Sequence, residues 1–131
     1  MAEQKYSYRT TSFWTGKRSG LVKAQTVPEV LNFSAPPEFE GTPGIWTPEH
    51  MLVAAVGSCF VTTFRAIADV SRFDFKRLEV EVTGTLEKTP EGLRFTHLVI
   101  KPELTLDDDT HREQAFRLLE KAKRGCLSRS R

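Results

Sequence analysis

Cysteine is scarce in this chain of 131 residues, which has only Cys59 and Cys126. Two thiols so far apart build neither a disulfide-dense secreted scaffold nor the close Cys and His pairs of a zinc site. His50, His97 and His111 fall on different elements and share no ligand spacing, so no metal and no cofactor are expected. No uninterrupted apolar run approaches the roughly 20 residues that cross a bilayer. The opening MAEQKYSYRTTSFW lacks the apolar centre of a signal peptide. Together these absences predict a cytoplasmic protein with no membrane contact. An excess of one charge sign is also missing: 19 basic residues face 17 acidic ones, a net charge of +2. That balance argues against counterion-driven nucleic-acid binding, and no nucleic-acid partner is expected. The exception is the stretch from Lys121 to Arg131, where Lys121, Lys123, Arg124, Arg129 and Arg131 occur without an acid. It reads as a solvated helix end matching the negative pole of the helix dipole.

What the chain does have is ordinary globular composition, 39% hydrophobic and 27% charged, with nine Phe and two Trp to fill a core. This predicts one domain over residues 1–131. Lys5 to Thr15 and Leu21 to Gln25 flank Thr-Gly-Lys-Arg-Ser-Gly, which predicts an opening hairpin with Arg18 at its tip. A short strand at Val30 to Phe33 precedes the longest loop, marked by Ala35-Pro36-Pro37 and Gly41-Thr42-Pro43-Gly44. The Pro and Gly content of residues 35–45 would suit a lid.

Thr47-Pro48-Glu49 is a helix start, with Thr as N-cap, Pro at the first position and Glu at the positive pole. Leu52, Ala55, Val56, Cys59, Phe60, Thr63, Phe64 and Ile67 then repeat at three and four, predicting a long, largely buried helix with Cys59 near its middle. Leu78 to Leu86 and Leu93 to Ile100 are strands, joined through Thr89-Pro90-Glu91-Gly92 as a hairpin. After Asp107-Asp108-Asp109, the stripe Ala115, Leu118, Leu119 and Ala122 predicts a second helix capped at Gly125, with Cys126 just beyond. Strands, helix, strands, helix with adjacent hairpins is the α+β pattern.

A pair of thiols in a reducing compartment is either inert packing or redox chemistry, and the residues alone favour packing. A peroxide is attacked only by a thiolate, which needs a nearby cation or helix N-terminus. Met51 to Val61 holds no Lys or Arg, so a cation for Cys59 must come from elsewhere in the fold, and Arg18 is the candidate.

Thr47-Pro48-Glu49-His50-Met51-Leu52 followed by Ala54-Ala55-Val56-Gly57-Ser58-Cys59-Phe60 resembles the first cysteine motif of the OsmC/Ohr thiol peroxidases. Lys121-Ala122-Lys123-Arg124-Gly125-Cys126 with Ser128 resembles the second. The paired order is more specific than either motif alone. The resemblance implies an OsmC-like α+β fold, antiparallel sheets packed on a long central helix, in an intertwined homodimer. It implies a hydroperoxide reductase in which Cys59 is the peroxidatic cysteine, Cys126 the resolving one, Glu49 the acidic partner and Arg18 the hairpin arginine. The substrate would be an organic hydroperoxide and the reductant an external dithiol. Two departures stand out: Leu127 follows Cys126 where the family usually has proline, and the chain ends at Arg131 where the family continues into a last strand.

Ten residues of straight helix between Glu49 and Cys59 span about 15 Å, beyond direct contact. A shared site therefore requires a break near Gly57, which would give Cys59 a fresh helix start, or a group from a partner subunit. Phe60, Phe64, Trp14 and Trp46 could line an apolar pocket, although ordinary core is the commoner role for such residues. Two other readings use the same fold: a binding module for a small apolar ligand with idle thiols, and a redox sensor whose disulfide changes shape for a partner.

Overall fold

A computed structural model describes residues 4–126. Leu127, Ser128 and the basic residues Arg129 and Arg131 lie outside the described residues. The elements run in the order β1 (Thr10–Gly16), β2 (Ser19–Ala24), β3 (Val27–Ser34), α1 (Pro48–Val70), β4 (Arg77–Thr89), β5 (Gly92–Thr105) and α2 (Arg112–Gly125). This is the α+β arrangement that the sequence predicts. Contacts divide the chain into two compact units, Met1–Met51 and Leu52–Arg131.

The first unit is a three-stranded antiparallel meander in the order β1-β2-β3. Its opening hairpin turns at Lys17 and Arg18, between the paired residues Gly16 and Ser19. Gly16, at φ +134°, adopts a backbone conformation that a side chain would strain, and Lys17 follows in the left-handed region at φ +49°. The third strand is longer than the sequence suggests, because pairing with β2 continues to both of its ends.

The loop after β3 is tied down rather than open. Buried Ser34 receives a hydrogen bond on its Oγ from the Thr42 backbone N–H at 2.8 Å, and its own N–H donates to the Trp46 carbonyl at 2.9 Å. A 3-10 turn at Pro37–Phe39 ends at Glu40, in the left-handed region at φ +69°. A Cβ on Gly41 would fall 1.5 Å from the Ala35 carbonyl oxygen, so only glycine closes this loop.

α1 starts where Thr47 predicts, with the His50 N–H donating to Thr47 Oγ1 at 3.0 Å. It ends at Val70 and is terminated by a left-handed Arg72, φ +54°, beyond which the buried Phe73 donates its N–H back to the Ala68 carbonyl at 2.8 Å. The helix does not break at Gly57 but runs unbroken from Pro48 to Val70. The glycine serves packing instead: a Cβ there would lie 3.3 Å from a methyl of Val82 on β4. Gly84 serves the same approach from the strand side, where a Cβ would meet Val53 at 2.9 Å and Phe95 at 2.8 Å. With 23 residues, α1 is long and apolar enough to cross a membrane by length and composition, a test that the core helix of a folded unit also passes. Its Val56, Phe60, Phe64 and Ala68 are buried, as in the core helix of a folded unit.

The second unit packs this helix with the β4–β5 hairpin and α2. Both strands exceed the predicted lengths and twist at a bulge between Thr85 and Leu86. Alternation along β4 turns Leu78, Val80, Val82 and Leu86 to one face. The core joins Phe60, Phe64 and Ala68 of α1, Phe73, and Ala115, Leu118 and Ala122 of α2. Small residues on α2 let the phenylalanines fill the gap between the helices. Phe64, fully buried and edge-on to Phe75 at 5.2 Å, is central to it. Phe64→Ala should cost about 3 to 5 kcal/mol in urea unfolding. Phe116→Ala, at a position 56% exposed, should cost less than about 1 kcal/mol.

Candidate active site

Cys59 sits half-buried on α1, and its Sγ lies 3.7 Å from Thr63 Oγ1, one turn further along. Cys126 is buried at 3% exposure immediately after α2. Cys126 Sγ donates to the Val56 carbonyl at 3.9 Å, and a Cβ on Gly125 would sit 3.4 Å from the Thr63 methyl. Positions 56, 59, 60 and 63 share one face of a helix. The chain leaving α2 therefore lies along the face of α1 that carries Cys59, with Gly125 level with one side of that thiol and Cys126 with the other.

The reason lies in the packing between the helices. Ala115, Leu118 and Ala122 bury against Phe60 and Phe64, fixing where the last turn of α2 ends. Gly125 is the final helical residue rather than the cap expected from sequence: Cys126 takes that place in an extended conformation, φ −69°, ψ 133°. Because α1 is unbroken, the fresh helix start considered for Cys59 is absent, and its N–H belongs to the helical ladder.

Arg18 and Glu49 belong to the first unit. Arg18 reaches Glu40, not Glu49, with Nη2 to Oε1 at 3.2 Å in an exposed pair. The left-handed turn at Glu40 presents its carboxylate to the hairpin tip, and the Arg18 carbonyl accepts the Ala35 N–H at 2.9 Å. Such an exposed pair is worth roughly 1 kcal/mol or less. Glu49 Oε1 is buried and has no hydrogen-bond partner among the described residues. His50 Nδ1 is 2.9 Å from Thr47 Oγ1, at the helix start, which gives this histidine a capping role.

Of the four aromatic residues considered for a pocket, Phe60 and Phe64 are core residues. Trp14 and Trp46 are exposed, and Trp14 Nε1 donates to the Lys17 carbonyl at 2.8 Å, bracing the hairpin turn. Sequence reasoning missed Glu40, Thr63 and the Val56 carbonyl. Thr63 had a readable signal in its spacing of four from Cys59, whereas the other two depend on tertiary placement.

Residues 41–129 match the model of the OsmC-like protein family. The chain is 25% identical over 118 residues to the uncharacterized protein YmaD of Bacillus subtilis (strain 168), covering 87% of this chain and 78% of that protein. Among solved structures it resembles an OsmC-like protein of unknown function from Vibrio cholerae, with a TM-score of 0.81 at 19% identity, covering 94% of this chain and 91% of the other. An organic hydroperoxide resistance protein, OsmC, from Legionella pneumophila aligns with a TM-score of 0.78 at 23% identity, over 95% and 88% of the two chains.

The different burial of the two thiols sets an order of reactivity. In the reduced native protein, iodoacetamide should alkylate Cys59 roughly tenfold or more faster than Cys126. In denaturant the two should react alike, as read by peptide mass spectrometry; faster labelling of Cys126 in the native protein would contradict the geometry.

Proposed function

The chain belongs to the OsmC-like protein family, and from that premise we propose that it is a cytoplasmic cysteine-based peroxidase that reduces organic hydroperoxides. The observation that carries this reading is the course of Gly125 and Cys126 along the helix face that bears Cys59. Two thiols on neighbouring elements, one half-buried and one fully buried, suit a peroxidatic and a resolving cysteine.

The Cys59 thiolate attacks one peroxide oxygen, the O–O bond breaks, and the other oxygen leaves as an alcohol once protonated. Cys59 is then a sulfenic acid. The Cys126 thiol condenses with it, releasing water and forming the Cys59–Cys126 disulfide, which an external dithiol reduces back to two thiols. Arg18 polarises the leaving oxygen and Glu49 holds the guanidinium. The buried, unpartnered Oε1 of Glu49 supports this pairing, since a buried carboxylate oxygen left without a donor is costly and a guanidinium is well suited to satisfy it. Arg18 would exchange its exposed bond to Glu40 for that one.

A homodimer accompanies this reading. Leu52 and Val61 on α1 and Leu98 and Val99 on β5 are each about 40% exposed or more, apolar surface of the kind that subunit contact covers. The hydroperoxide resistance protein from Legionella pneumophila shares the fold and supports the choice of substrate class.

With dithiothreitol in excess, the protein should consume cumene hydroperoxide over many turnovers. Cys59→Ser should abolish turnover, and Arg18→Ala should lower kcat/KM on the order of a hundredfold. Oxidation of the thiols without turnover would favour the redox sensor, and indifference to peroxide would leave the ligand-binding module.

A further inference from the structure

Three hydroxyl side chains surround Cys59 on α1, and they behave differently. Ser58 Oγ donates to the carbonyls of Ala54 at 2.8 Å and Ala55 at 3.2 Å. Thr62 Oγ1 donates to those of Ser58 at 3.2 Å and Cys59 at 3.1 Å. Such bonds to the preceding turn are the usual resting place of a helical Ser or Thr hydroxyl. Thr63 departs from the pattern, with its Oγ1 on the sulfur of Cys59 at 3.7 Å.

The other branch of Thr63 accounts for this. Its γ2 methyl faces Gly125, at 3.4 Å from where a Cβ would be. A β-branched side chain is stiff at χ1, so placing the methyl also places the hydroxyl. The residue that faces Gly125, immediately before Cys126, is therefore the residue whose hydroxyl meets Cys59 Sγ.

We infer that Thr63 is a positioning residue for disulfide closure, its hydroxyl holding the Cys59 sulfur in the orientation that Cys126 meets. The inference rests on the pairing of these two cysteines proposed above. A disulfide demands a narrow range of Cβ separation and a dihedral near a right angle, so a sulfur that samples other rotamers closes less often. Thr63 restrains the sulfur from a position that faces the end of α2. The hydroxyl can donate to a thiolate or accept from a thiol, so the restraint serves both states of Cys59.

The test uses glutathione, which makes it independent of any reaction with peroxide. Full-length reduced protein is mixed with oxidised glutathione; two protein thiols and one oxidised glutathione exchange with the protein disulfide and two reduced glutathiones. The rate constant for closing the Cys59–Cys126 disulfide from the Cys59–glutathione mixed disulfide is read by acid quenching at successive times and mass spectrometry for wild type, Thr63→Val, Thr63→Ala and Thr63→Ser. Removal of the hydroxyl in the Val and Ala variants should lower that constant about threefold to tenfold, while Ser retains the wild-type value. Thr63→Val keeps the branched shape, so its melting temperature should stay close to wild type; if it fails to fold, the contrast between Ala and Ser decides. A wild-type constant in the variants without the hydroxyl, or an equal loss in Thr63→Ser, would overturn the inference. Peroxide consumption measured in parallel separates the two readings: no consumption with an intact Thr63 effect would sink the peroxidase alone.

Discussion

The packing of α2 against the aromatic face of α1 is the constraint on which the site depends. Phe60 and Phe64 occupy the space left by Ala115 and Ala122, and this fit sets both the separation and the register of the helices. Register matters more than affinity here. A shift of one turn, about 5.4 Å along the axis, would carry Cys126 away from the Val56 carbonyl and Gly125 away from Thr63. The buried aromatics thus shape the candidate site at a distance, by fixing where the last turn of α2 ends. Gly57 and Gly84 serve the same end on the other side of α1, letting the β4–β5 hairpin approach closely.

The features legible in the sequence are those whose physics is local. Thr47 caps the helix because its hydroxyl is adjacent to the orphan N–H it satisfies, and the Gly16 turn is fixed by backbone sterics. The stripe on α2 predicts its buried face because a helix repeats its own geometry. The role of Gly57 is not legible for the converse reason. A glycine within a helix pattern marks either a break or a close approach, and only the presence of Val82 distinguishes them. Arg18 illustrates the same limit: its bond to Glu40 spans 22 positions and depends on a left-handed residue at the end of a 3-10 turn. The ends of the strands were equally hidden, because pairing partners extend β4 and β5 past their alternating segments.

The two cysteines gain their meaning from this division. As isolated residues, Cys59 on an apolar helix and Cys126 after a helix end favour packing. The course of Cys126 along the helix face that bears Cys59 makes a joint role the more economical reading. The contrast in burial distinguishes the two positions: the half-buried Cys59 is open to small reagents in a way that the buried Cys126 is not. Glu40 and Glu49 differ in the same way, an exposed carboxylate that binds Arg18 and a buried one whose Oε1 has no hydrogen-bond partner among the described residues.

The most direct measurement mixes reduced protein with one equivalent of cumene hydroperoxide and follows the fate of both thiols by mass spectrometry, with Cys59→Ser beside it. The account requires both thiols to disappear together, with a peptide crosslink between Cys59 and Cys126 in the wild type and none in the variant. Thiols that remain reduced, or a Cys59 that oxidises with no link to Cys126, would contradict it.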